Sequence, residues 1–173
     1  AAENAPSFAD VPAAAWYADA VQYAYERGLM TGVSESEFGP DGTATRGQIV
    51  TILWRLAGSP VVNYAMRYAD ADEGAWYGEA VRWAASTGVV TGYSESSFGP
   101  NDAITREQLA AILYRYIKTQ GQGFTGMWYF PLRYDDAASI SDWADEAMHW
   151  CVMKGVLNGT GETTLSPQLT ATR

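Results

Sequence analysis

Three arginines follow a threonine in one local setting: Thr45-Arg46-Gly47-Gln48, Thr105-Arg106-Glu107-Gln108 and, at the end of the sequence, Thr172-Arg173. In the two full copies, Thr and Gln have the spacing of a capping box. The Thr hydroxyl accepts from the third helical N–H, and the Gln side chain reaches back to the N–H of the cap. Capping accounts for Thr and Gln but not for arginine, because a cation in the first turn faces the positive end of the helix dipole. Two readings of the arginine stay open. An incoming anion would meet the guanidinium and the helix-end N–H groups together. Alternatively, each arginine pairs with an acidic residue of its own repeat, such as Asp10, Asp70 or Asp136.

The elements that must position these arginines also recur. The stretch "FADVPAAAWYADAVQYAYERGLMTGVSESEFGPDGTATRGQ" from Phe8 aligns without a gap to "YADADEGAWYGEAVRWAASTGVVTGYSESSFGPNDAITREQ" from Tyr68, with close to half the positions identical. A more diverged copy starts at Tyr134, carries one extra residue before its Trp, and then keeps register to Arg173. A fixed period is the signature of a repeat architecture. In the first copy Trp16, Ala20, Val21 and Ala24 have the spacing of an amphipathic helix, and Gly28 follows as a stop. The second helix shows Ile49, Ile52, Leu53 and Leu56, matched by Leu109, Ile112, Leu113 and Tyr116. Between them "GLMTG" and "GVVTG" end at Gly32 and Gly92, and turn-rich segments lead to Pro40 and Pro100.

The expected fold is therefore all-α: three helix-loop-helix repeats, 8–58, 68–118 and 134–173, forming three helical hairpins around shared second helices. The third copy stops where the others begin their second helix. We take the chain as a fragment, the alternative being that another chain fills the gap. The linker "TQGQGFTGMWYFPLR" is glycine-rich but strongly aromatic, which predicts an ordered, packed segment.

Composition narrows the function. A net charge of −9 argues against nucleic acid, whose phosphates call for a basic face. Any anionic ligand must be held by a few well-placed cations against the overall field. Hydrophobic residues make up 47% of the chain, enough for a packed core. No stretch has the roughly 20 apolar residues of a membrane span. The single cysteine, Cys151 in "MHWCVM", reads as a buried small hydrophobe. The start "AAENAPS" has no Met and reads as what processing or trimming leaves, consistent with a removed secretory signal.

Phe/Tyr-x-Asp, a Trp, a helix, Gly-x-x-x-Gly, Phe-x-Pro and Thr-Arg-x-Gln, in that order and over nearly the whole chain, resemble the S-layer homology repeat, usually found as three tandem copies. The resemblance implies a three-pronged spindle around a central helical bundle. It also implies attachment of surface proteins to the cell wall through a secondary wall polysaccharide, often bearing a ketal-linked pyruvate, held in grooves between prongs. The motif arginine carries over to Arg46, Arg106 and Arg173, with Gly47 or Glu107 in place of the family's Ala and Gln in place of its Glu. By position Asp10, Asp70 and Asp136, Trp16, Trp76 and Trp143, and Gly32, Gly92 and Gly159 join the expected sites.

Each of these has a structural reading beside the functional one. The Asp would cap the first helix, the Gly would supply a left-handed turn, and the Trp, for which this reading is preferred, would be core. Glu107 is expected to weaken the Arg106 groove, and the ending of the third copy to leave the Arg173 groove incomplete. The order of working grooves expected is thus Arg46, Arg106, Arg173.

Other chemistry finds little support. His149 and Cys151 form neither a dyad nor a zinc site. Asp135-Asp136, or Asp70 with Asp72, resemble glycosidase acid pairs only in number. "PDGT" and "PNDA" lack the alternating ligands of a calcium loop. We expect a non-enzymatic, extracellular, wall-associated module without cofactor or metal, with no nucleic acid partner and no membrane insertion. Its partner would be a wall polysaccharide. The alternative is an assembly module that self-associates through the aromatic linker at 127–130 or the incomplete third repeat.

Overall fold

The computed structural model describes residues 8–173, so the small polar start read above as a trace of processing lies outside the described residues. The architecture is all-α. Five helices run α1 (Ala18–Glu26), α2 (Arg46–Leu56), α3 (Gly78–Ser86), α4 (Arg106–Thr119) and α5 (Asp145–Met153), with two short 3₁₀ turns, Ala137–Ser139 and Asp142–Ala144, before the last. The first helix of each repeat starts with acidic residues that suit its N-terminus, namely Asp19, Glu79, and Asp145 with Glu146. Each stops just before a glycine in the left-handed region, at Gly28, Gly88 or Gly155. The capping boxes form as read. Gln48 N–H donates to the Thr45 hydroxyl (3.3 Å) while Thr45 N–H donates to the Gln48 side chain (3.0 Å), and Thr105 and Gln108 repeat the pattern.

The expected hairpins do not form within repeats. Helix α2 packs on α3, and α4 packs on α5, so the second helix of one repeat covers the first helix of the next. The long loops between helices carry each chain segment across a central axis. There Ala44 N–H donates to the Ala171 carbonyl (2.9 Å), Ala171 N–H to Ile104 (2.8 Å), and Ile104 N–H to Ala44 (3.0 Å). These three residues are equivalent in the repeats, and their bonds close a ring. Flanking antiparallel bridges, Thr45 with Ala103, Thr105 with Thr170 and Thr172 with Thr43, fasten each repeat to both others.

The central core gathers Ala44, Ile104 and Ala171 with Val50, Leu53, Val81 and Phe98. A second cluster joins Ala110 and Tyr114 of α4 to Met148, Cys151 and Leu165. Cys151 is fully buried there, as expected, and burial pushes its thiol pKa up to about 12. The third cluster is small, consisting of Phe8, Val21 and Phe38. Among the described residues no helix packs on α1, so Ala20 and Tyr23 stay exposed where their equivalents Ala80 and Trp83 are buried. The apolar stripe read for α1 is corrected accordingly: only Val21 of the helix is buried, and Trp16 precedes it. The aromatic linker is half packed. Phe124 stacks on Trp128 (4.2 Å between centroids, 6° between planes), whereas Met127 and Tyr129 project outward.

Each repeat-start aspartate clamps its own Phe-Gly or Leu-Ser loop rather than capping the first helix. Asp10 accepts from the N–H groups of Phe38 (2.8 Å) and Gly39 (2.6 Å). Asp70 accepts from Phe98 (2.8 Å), Gly99 (2.9 Å) and the Ser97 hydroxyl (2.9 Å). Asp136 accepts from Leu165 (2.8 Å) and Ser166 (2.7 Å). These donors hold all three carboxyls below their ordinary pKa. For Asp70 burial is the largest single influence and acts the other way, but the donors together outweigh it. The stability they contribute is present above the ordinary value of 3.8 and is lost as pH falls through the lower folded values. Thermal unfolding followed by circular dichroism should show a melting temperature that drops below pH 3.8. The Asp70→Asn variant should melt lower at pH 7 and show a shallower acid drop; equal acid slopes would remove the clamp from the account.

Candidate functional site

Backbone pairing at the axis sets where the motif arginines go. Because each pre-helix segment lies against the next repeat, its arginine reaches into that repeat. Arg46 Nε donates to the Phe98 carbonyl (2.9 Å), Arg106 Nε to Leu165 (2.9 Å), and Arg173 Nε to Phe38 (3.2 Å), which are equivalent residues. A second donor of Arg106 reaches the Asn158 carbonyl, and one of Arg173 reaches Thr31 (2.7 Å). The guanidinium of Arg46 also lies over the rings of Tyr93 (4.3 Å) and Phe98 (4.9 Å). The ion-pair reading is therefore corrected. Asp10, Asp70 and Asp136 are occupied with loop N–H groups, and among the described residues no carboxylate lies within ion-pair distance of the three arginines.

Two grooves open beside these arginines, and they are built alike. The first, of about 470 Å³, is lined by the 29–33 loop, by Gln48, Thr51, Ile52 and Arg55 of α2, by Trp76, and by Arg173. The second, of about 400 Å³, is lined by the 90–93 loop, by Gln108, Ala111, Ile112 and Arg115 of α4, by Trp143, and by Arg46. Every lining residue of the second has an equivalent in the first. Each groove is thus a composite: loop and helix from one repeat, tryptophan from the next, and motif arginine from the one before.

The third position of this cycle brings Arg106, the Gly159 loop and Trp16 together in sequence register, but among the described residues no second helix stands there as a wall. The order of grooves read from the sequence is corrected on this basis. Arg173 lines a groove in repeat one, and among the described residues Arg106 lines neither groove. Glu107 does not oppose Arg106 in a groove. It is buried, and its carboxylate accepts from the N–H (3.0 Å) and hydroxyl (2.9 Å) of Ser141 in repeat three.

The tryptophans are not core. Trp76 and Trp143 are 58% and 55% exposed on the groove walls, and Trp16 is 94% exposed. Gly32, Gly92 and Gly159 are there for close approach. A Cβ would lie 2.5–2.8 Å from loop carbonyls and the repeat-start ring of Phe8, Tyr68 or Tyr134, and only Gly92 also has a positive φ (72°). The aspartates sit behind the loops and do not line either groove.

Sequence reading missed Arg55 and Arg115, nine positions beyond Arg46 and Arg106. Their recurrence in "ILWR" and "ILYR" was the available signal. Each of the two grooves therefore carries two guanidinium groups and no acidic lining residue, in a chain of net charge −9. Burial pulls Arg46, Arg106, Arg115 and Arg173 down from their ordinary pKa, although arginine stays charged at any working pH. Such a site attracts an oxyanion and offers an aromatic face next to it.

A family profile described as the S-layer homology domain matches residues 7–50, 67–110 and 133–173. The chain is 29% identical over 161 residues to the surface-layer 125 kDa protein of Lysinibacillus sphaericus, covering 90% of this chain and 13% of that protein. It is 27% identical over 169 residues to the S-layer protein of Bacillus thuringiensis subsp. finitimus, covering 96% and 20%. It is 28% identical over 164 residues to the amylopullulanase of Thermoanaerobacterium thermosulfurigenes, covering 91% and 8%. The chain thus spans no more than a fifth of these relatives.

Denaturant unfolding separates the groove residues by role. Trp76→Ala and Trp143→Ala should change stability by no more than about 0.5 kcal/mol, as surface substitutions do. Trp83→Ala, in the core, should cost about 3–5 kcal/mol. Arg46→Ala should cost about 1.5–3 kcal/mol through its lost charge-assisted bond to Phe98.

Proposed function

The chain belongs to the S-layer homology domain family, and we propose that it is a non-catalytic module that fastens a surface protein to the cell wall. It does so by holding an anionic secondary wall polysaccharide in the two inter-repeat grooves that the described residues form. The observation that carries this reading is the pair of equivalent grooves, each with two arginines and no carboxylate in its lining, on a strongly acidic chain. S-layer homology domains occur in S-layer and cell-surface proteins, and proteins so named are among the relatives. No helix among the described residues is long and apolar enough to cross a membrane.

In this reading the anion is a ketal-linked pyruvate carboxylate, met by the guanidinium groups at the groove floor. A sugar ring lies on Trp76 or Trp143, whose exposed faces suit an apolar sugar face. Gly32 and Gly92 let the groove loop close on Phe8 and Tyr68, and Arg173 and Arg46 line the groove beside that loop. Asp10, Asp70 and Asp136 act indirectly, by fixing the loops. Arg106, Gly159 and Trp16 line neither of the two described grooves. A second reading, assembly between copies, rests on the exposed Trp16, Met127 and Tyr129. It requires a mass that rises with concentration in light scattering.

The test is sedimentation with purified wall sacculi before and after mild acid removes the non-peptidoglycan polymer. Co-sedimentation should be lost on stripping, and it should weaken between low and high salt because surface electrostatics are screened. Equal binding to stripped sacculi would sink the polysaccharide reading.

A further inference from the structure

The motif arginines are not free to hold a ligand with their whole fork, because each uses donors on carbonyls of the next repeat. Arg115 is different. It is half-buried on α4, and among the described residues it donates to no hydrogen bond and sits in no ion pair. Its head faces the second groove, whose lining offers no carboxylate. Arg46 lines the same groove, where burial lowers its pKa most and the charge on Arg115 lowers it slightly further. The N–H groups of Arg115 reach solvent in the groove, since among the described residues the buried side-chain nitrogen and oxygen atoms without a partner belong to Glu79 and Arg82, and its planar fork is free to take a ligand.

Resting on the wall-polymer reading above, we infer that Arg115 is the ligand-contacting cation of the second groove. It grips one oxyanion of the polymer by its fork, while Arg46 staples the repeats and adds charge from behind. Arg46 is suited to that role: it is 6% exposed, lies over Tyr93 and is fixed through Nε to Phe98. Five N–H donors in a plane match a carboxylate or phosphate edge two at a time. An anion placed between the two guanidinium groups would cancel their repulsion as well as hydrogen-bond to Arg115. Arg55 holds the same place in the first groove, but one of its donors is already engaged by the Leu29 carbonyl (3.0 Å). The second groove therefore binds the anion more tightly than the first.

Isothermal titration of the whole chain tests this with two probes, a methyl hexoside bearing a 4,6-pyruvate ketal and a methyl hexoside 6-phosphate. Whichever oxyanion binds more tightly identifies the source of the charge. Arg115→Gln should weaken the tighter event by roughly tenfold or more, the loss of one charge-assisted bond. Its melting temperature should equal or exceed that of the parent, because no internal partner is lost and a repulsion is relieved. Arg115→Lys should recover part of the binding, and Arg55→Gln should affect only the weaker event. Parent-like binding by Arg115→Gln would overturn the inference, and so would a loss of binding accompanied by a fall in melting temperature. A parent that binds sacculi but neither probe overturns the oxyanion grip alone. A parent that binds neither sacculi nor probes overturns the wall-polymer reading with it.

Discussion

Three peptide groups at Ala44, Ile104 and Ala171 hydrogen-bond to one another in a closed ring, and most of the architecture follows from that closure. The ring forces each pre-helix segment to lie against the next repeat instead of folding back on its own. The following helix then starts under the neighbour's first helix, which is why α2 covers α3 and α4 covers α5. Buried peptide groups must find partners, and here each repeat satisfies those of another. No single repeat can keep this arrangement alone.

The same offset builds the grooves. Since arginine is passed forward by one repeat and tryptophan is supplied by the one after, any groove samples three repeats at once. The shape of each groove is thereby linked to the packing of all three repeats. The motif arginine does two jobs, holding the neighbour's Phe-Gly or Leu-Ser loop by its carbonyl and making the groove positive. In an acidic chain, local placement in a partly dehydrated recess governs ligand charge more than the net balance does, because nearby charges act through less screening. Small differences then separate the two grooves. Tyr93 and Ala111 stand in the second where Val33 and Thr51 stand in the first, so Arg46 is sealed under a ring while Arg173 remains more open.

Departures from exact repetition fall where packing differs. Gly47 sits so close to the Pro100 carbonyl that a Cβ would lie 2.8 Å away. At the equivalent place Glu107 instead ties itself to Ser141, using the 3₁₀ region unique to repeat three. Around α1 the apolar cluster is the smallest, because no second helix among the described residues packs on it. The exposure of Trp16, Ala20 and Tyr23 is one consequence of that single difference.

Much of this protein is written locally and was legible without coordinates. The repeat period, the capping boxes at Thr45 and Thr105, the glycine stops and the buried character of Cys151 depend on residues within a few positions of one another, and short-range chemistry dictates them. The presence of arginine at three equivalent positions was equally plain. Its partners were not. Whether Arg46 meets Asp10, an anion or Phe98 depends on contacts more than fifty residues apart, set by how the three repeats close their ring. That closure also turned the tryptophans outward, where a periodic pattern had suggested core, and brought Arg55 and Arg115 to the groove walls. Periodicity tells which residues share a face of a helix. Only the tertiary arrangement decides which faces find a neighbour, because that is fixed by how distant segments satisfy one another's hydrogen bonds and fill one another's space.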